Sequence, residues 1–159
     1  MIMNKMTSLE IKHALLSYFR FKRQWICASE CMNNDVMVIT NKDIIEVEVK
    51  INKYDLWKGE AKKRKHEMML NCNNSYYPNR FYICVPEELK EEAIKWIETT
   101  NKKYGIILCK KRSYYPYLTS IIKRAMPLHN KPNEYLKERI MKRVCTENIN
   151  LIGRLLREK

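Results

Sequence analysis

Asp35, Glu48 and Lys50 are the side chains whose type and spacing offer chemistry. The run Ile44-Ile45-Glu46-Val47-Glu48-Val49-Lys50 alternates apolar and charged residues. A strand turns successive side chains to opposite faces, so Glu46, Glu48 and Lys50 form one row and Ile45, Val47, Val49 and Ile51 the other. Upstream, Asp35-Val36-Met37-Val38-Ile39-Thr40 is a second strand-like run, joined through Asn41-Lys42-Asp43-Ile44, and the two read as a β-hairpin. If Asn41-Lys42 is a two-residue loop, Thr40 faces Asp43, Val36 faces Val47, Val38 faces Ile45, and Asp35 stands opposite Glu48. Like charges opposed in this way destabilise a sheet, so these carboxylates call for a cation between them. A hard cation such as Mg²⁺ is held through oxygen, by one or two carboxylates with water and phosphate filling the other positions. Lys50 would stand one step along the same face. A three-residue loop would turn Asp35 to the other face, so the arrangement depends on register. Taken alone, the Glu46–Lys50 run also fits an antiparallel sheet with one wet face.

The elements that must position these residues follow from periodicity and turn chemistry. A helix over 7–20 carries Ile11, Leu15, Tyr18 and Phe19 on one face and should cover the sheet. A strand near 24–29 precedes the hairpin, and a helix over 54–70 follows it. Strand 80–85, helix 87–100 and strand 104–109 form a β-α-β unit, which favours parallel pairing. Residues 112–117 read as a loop, and Tyr114, Tyr115 and Tyr117 within it either pack or stack on bases. Residues 118–126 read as an edge strand ended by Pro127. A last helix, starting near Pro132 and Asn133, should turn Leu136, Ile140, Val144, Ile152 and Leu155 inward; it could pack on the sheet or serve a homodimer. A chain of 159 residues should form one domain, with a core over about 7–110 and an extension over 111–159.

Further motifs lie in order along the chain: Ile51-Asn52-Lys53-Tyr54-Asp55-Leu56-Trp57, Lys62-Lys63-Arg64-Lys65-His66, Arg80-Phe81-Tyr82-Ile83-Cys84-Val85-Pro86 and Tyr104-Gly105-Ile106-Ile107. With Asp35 and Glu48-Val49-Lys50 they resemble the PD-(D/E)XK nuclease superfamily, and within it the MmcB-like, Holliday-junction-resolvase-like DNA-repair branch. The likeness runs from about Glu10 to Cys109; Asn52 stands where a serine is usual, and Leu56 where a phenylalanine is. The resemblance implies an α/β fold, a mixed central sheet flanked by helices, with the restriction-endonuclease-like order α-β-β-β-α-β-α-β and here a C-terminal helix. It implies a DNA endonuclease acting in repair, recombination or phage DNA processing. Asp35, Glu48 and the main-chain carbonyl of Val49 would hold Mg²⁺, with Mn²⁺ able to substitute, and Lys50 would orient or help deprotonate the attacking water. It also offers Glu10 as a further catalytic and metal-binding group. Thr7-Ser8-Leu9-Glu10 equally fits a capping box, in which the glutamate closes the helix start.

Composition agrees with a polyanionic partner. There are 31 Lys and Arg against 18 Asp and Glu, a net charge of +13, and such an excess attracts phosphate irrespective of base sequence. Lys62, Lys63, Arg64, Lys65 and His66 are the DNA-contacting candidates; the alternative is a solvated helix face. The three glycines are isolated, which excludes a phosphate-cradling loop. Six cysteines without a Cys-x-x-Cys pair, and three scattered histidines, support neither zinc nor an iron–sulfur cluster. With no leader-like or membrane-length apolar segment, a reducing, cytoplasmic setting without disulfides is expected. Two other readings stand beside the endonuclease: a non-cleaving DNA-binding module on the same fold, and a ribonuclease or toxin.

Overall fold

Thr7 starts the first helix. Its hydroxyl accepts from the Glu10 N–H at 3.2 Å, and the Glu10 carboxylate accepts from the Thr7 N–H at 2.7 Å, so two of the donors that a helix start leaves unpaired are satisfied reciprocally. In the computed structural model, which describes residues 5–60, 63–71, 76–114, 117–131 and 133–158, helix α1 (Ser8–Ser17) continues into a π-helical turn, Tyr18–Lys22. It presses Ile11, Ala14, Leu15 and Phe19 onto one face of a six-stranded sheet.

The strands are β1 (Ile26–Cys31), β2 (Asn34–Ile39), β3 (Ile44–Val49), β4 (Arg80–Pro86), β5 (Gly105–Lys110) and β6 (Leu118–Lys123), and they lie side by side in chain order. Strands β1 to β3 are antiparallel, β3, β4 and β5 are parallel, and β6 returns antiparallel, giving the expected mixed sheet. Helix α2 (Lys65–Asn71) lies between β3 and β4 in the chain, and α3 (Lys90–Thr100) joins β4 to β5. The hairpin register is the one that a two-residue loop dictates. Val36 pairs with Val47, Met37 with Glu46 and Val38 with Ile45; the Thr40 N–H donates to the Asp43 carbonyl at 2.9 Å, and the Thr40 hydroxyl accepts from the Asp43 N–H at 2.8 Å.

The two faces differ. Under α1 lie Val36, Val38, Ile45, Val47, Val49, Cys84 and Ile107, an apolar layer throughout. On the other face, α4 (Glu134–Arg157) covers Ala28 and Met37, while α3 brings Trp96 and Ile97 over Phe81, Ile83 and Ile106. Register carries one row across it, Ala28 to Met37 to Glu46 to Phe81. Glu46 therefore interrupts an apolar row between two helix-covered patches. Gly105 lets β5 fit closely: a Cβ there would overlap the Tyr82 ring and lie 2.7 Å from the Ala125 nitrogen.

Two expectations are corrected. Residues 54–70 are not one helix: a π-helical turn, Asp55–Glu60, is followed by the separate α2. Gly59 weakens the helix there, and the break turns Glu60, Lys63 and Lys65 back toward the sheet. In α4, Leu136 and Ile140 are buried, but Ile152 and Leu155 are half exposed. At about 1.5 Å per residue this 24-residue helix outruns the six-residue strand β1 on which it packs, so its end has no sheet beneath it. No helix among the described residues is long and apolar enough to cross a membrane.

Candidate active site

Strand β3 puts Glu46 and Glu48 inside the molecule, 1% and 2% exposed. Buried carboxylates persist only when paired, and the pairing comes from the segment after β3. Lys65 bonds Glu46 Oε1 and reaches Glu48 Oε1 at 2.8 Å. Lys63 Nζ lies 2.9 Å from Glu48 Oε2 and 2.8 Å from Glu60 Oε2. Lys50, whose N–H extends the β3–β4 ladder to the Cys84 carbonyl at 2.9 Å, places its ammonium 3.0 Å from Glu60 Oε2 and 3.7 Å from Glu48 Oε2. Glu60 Oε2 is thus held by two ammoniums as an ion pair, although it lacks a hydrogen bond of good angle. Three carboxylates face three ammoniums.

His66 closes the network from below. Its Nε2 is 2.8 Å from Glu60 Oε1 and its Nδ1 2.8 Å from the Tyr104 hydroxyl. An imidazole with the proton on Nε2, accepting from Tyr104 at Nδ1, satisfies both contacts. The ring sits edge-on to Phe81 and Trp96, with centroids 5.3 and 5.4 Å away. These aromatic walls leave Glu60 fully buried.

The charges respond unequally. Burial pushes the Glu46 carboxyl up to about 7; Lys65 opposes the shift, and the Glu48 charge adds to it. Burial acts on Glu60 as well, but the His66 hydrogen bond and the Lys65, Lys63 and Lys50 ammoniums outweigh it and hold that carboxyl well below the usual range. Lys63 and Lys65 are raised, their burial outweighed by the glutamates around them. The Tyr104 hydroxyl is also raised, chiefly by burial.

Asp35 stands at the end of the β2 ladder, one residue beyond the Val36–Val47 pair. Its Oδ2 accepts from the Val49 N–H at 2.8 Å, and Oδ1 pairs with Lys12 of α1 at 2.8 Å. Burial would raise this carboxyl, but the Lys12 and Val49 hydrogen bonds lower it overall. Asp35 thus touches the backbone of the residue between Glu48 and Lys50, while its carboxylate and that of Glu48 are held by different ammoniums. In a strand the N–H and C=O of one residue point to the same edge, so the Val49 carbonyl faces the Asp35 side. By chemistry this donor set, two carboxylates and a carbonyl, fits a hard cation. In the arrangement described, ammoniums take the carboxylate oxygens, and among the described residues no three His, Cys, Asp or Glu side chains converge as a ready metal-holding group.

The remaining candidates separate. Glu10 closes the capping box and accepts from the Tyr117 hydroxyl at 3.2 Å; it does not join the Glu48 network. Its carboxyl is lowered, first by the Thr7 N–H. Of the basic cluster, Lys62 lies outside the described residues, and Arg64 faces solvent. Within the cluster, Lys63 and Lys65 turn in to pair with glutamates, and His66 is enclosed. Of the tyrosine group, Tyr114 is exposed, Tyr117 packs against the core, and Tyr115 lies outside the described residues. Sequence reasoning missed Glu60 and Tyr104. A signal for Glu60 existed: it is the only acid between Lys58 and His66, in a run rich in lysine.

No family model, no curated protein and no solved structure shows significant similarity to this chain.

Proposed function

We propose that the chain is a metal-dependent nuclease of the PD-(D/E)XK type, hydrolysing phosphodiester bonds in DNA. The observation that carries this reading is the contact of Asp35 with the backbone N–H of Val49 at 2.8 Å, which brings an acid from β2 against the Glu48-Val49-Lys50 segment of β3. The order of elements supports it: a helix, three antiparallel strands, then a helix before each of the next two strands, which add in parallel. The +13 charge suits a phosphate polymer.

In this reading Asp35, Glu48 and the Val49 carbonyl hold the metal. A bound Mg²⁺ or Mn²⁺ supplies a Lewis acid and lowers the pKa of bound water. Lys50, fixed by Glu60 and Glu48, presents its ammonium to the scissile phosphate and holds the attacking water. Lys63 and Lys65 can exchange a carboxylate for a substrate phosphate, since both are anionic oxygen acceptors. Glu10 serves as a helix cap.

The test is cleavage of plasmid, linear and branched DNA with Mg²⁺ or Mn²⁺. Asp35→Ala, Glu48→Ala and Lys50→Ala should each lower cleavage by at least a hundredfold, with DNA binding in EDTA retained. Cleavage that persists in all three rules out this site, and preferential degradation of RNA moves the reading to a ribonuclease.

One observation favours a second reading. Each Glu48 oxygen is capped by a lysine, and Asp35 by Lys12, as in an ion-pair network that only supports a DNA-binding surface. Tight DNA binding with no turnover in any divalent metal selects this alternative.

A further inference from the structure

The helices on the charged face leave a trough between α4 and α2. It encloses about 390 Å³, within the ~300–1,000 Å³ of small-ligand sites. Its floor is Met37 and Glu46, and its inner wall is Lys63 and Lys65, the two lysines that cap Glu48. The trough and the candidate centre therefore share these two ammoniums, each already paired with glutamates.

Its rim is built from planar and amide groups. On one side is the β1–β2 turn, Met32-Asn33, flanked by the Cys31–Asn34 pair. Met32 and Asn33 both have positive φ, 55° and 63°, as a type I′ hairpin turn demands. Asparagine tolerates this region, but methionine is held there at a cost; backbone strain of this kind gathers where a loop must hold a side chain for function. On the other side stand Tyr76, 74% exposed, and Tyr77. His129 Nε2 bonds the Tyr77 carbonyl at 2.7 Å. Asn79 ties the same segment to β3, accepting from the Ile44 N–H at 2.7 Å and donating to Asp43 at 2.7 Å. A floor of Met37 and the Lys65-paired Glu46, a tyrosine rim, amides at the mouth and ammoniums at one end match a flat ligand with a polar edge, joined to an anion.

We propose that this trough receives one unpaired nucleobase of a nucleic-acid substrate, against Tyr76, with Asn33 at its edge and the adjoining phosphate on Lys63 and Lys65. The proposal rests on the nucleic-acid reading above and narrows its substrate class. In a paired duplex the faces of a base are stacked and its edge is bonded to its partner, so a bulge, gap, flap or single strand supplies it at the lowest cost.

The test is binding in EDTA, which is independent of cleavage. Three fluorescent duplexes are compared: fully paired, with a single unpaired adenine, and with an abasic site replacing that adenine. The unpaired adenine should tighten binding roughly tenfold, the scale of one base stacking on an aromatic ring, and the abasic site should remove the gain. Tyr76→Ala and Asn33→Ala, both at exposed positions, should each reduce the preference and leave paired-duplex affinity unchanged. Equal affinity for the paired and bulged duplexes overturns the pocket, as does a gain that survives the abasic site or both variants. Cleavage with Mn²⁺ is scored separately. A bulge preference without cleavage keeps the pocket and removes the nuclease, cleavage without the preference removes the pocket alone, and no nucleic-acid binding removes both.

Discussion

The two faces of β3 are equally buried and held by opposite physics. Toward α1, the Ile45, Val47 and Val49 side chains join an apolar cluster; toward α2 and α4, Glu46 and Glu48 meet lysines. On the apolar face each side chain contributes by its own area, so losing one leaves a cavity and little else. On the charged face no group is stable alone, because each ion is tolerated only for its partners. A face of this second kind adds little to stability. It does hold lysine and glutamate side chains in fixed positions.

The contrast breaks most sharply at Glu60. Glu60→Gln should cost about 3–5 kcal/mol in urea unfolding, the penalty for leaving a buried ion uncompensated. Ile45→Ala on the opposite face should cost about 2–5 kcal/mol, and its effect should not vary with pH. If Glu60→Gln proves neutral, the network is loose and hydrated.

Glu46 gives the pH dependence. Its carboxyl is raised to about 7 from an ordinary value of 4.5, so its contribution is fully present below about pH 4.5 and is lost as pH rises through about 7. Glu46→Gln should flatten this part of the stability–pH curve, with a gain of about 1–3 kcal/mol at pH 8. Unfolding midpoints at several pH values between 4.5 and 8 measure it, and parallel curves for both proteins would show that Glu46 stays ionised throughout. Glu60, whose carboxyl is lowered, acts in the other sense: its contribution is present above its ordinary value of 4.5 and is lost only as pH falls through its lower folded value.

The smallest expected effect is at Glu10. Glu10→Ala should cost about 1 kcal/mol or less, through the capping box, and leave any metal-dependent cleavage unchanged. Cleavage lost without a loss of stability would return Glu10 to the metal site.

The hairpin was legible because its signal is local: alternation defines the faces and Asn41-Lys42 the register, and Val36–Val47 and Val38–Ile45 pair accordingly. The capping box is equally local. The partners of the carboxylates were not legible. Lys65 lies 19 residues from Glu46 in the chain and Tyr104 lies 38 from His66, separations over which no periodicity extends. The inward pairing of Lys63 and Lys65 was not legible either, because lysines that neutralise buried glutamates are spelled the same as lysines in water.

From the sequence alone came the hairpin, its register and the parallel β-α-β unit, all set by side-chain alternation, turn residues and short connections. Only the tertiary structure decided which charges meet. The break before α2 folds Glu60, Lys63 and Lys65 back over β3, and the hydrogen bond to the Val49 N–H sets Asp35 at the ladder's end rather than in the glutamate cluster. Ion pairs form wherever packing brings opposite charges into a space without water, and that is a property of the assembled fold.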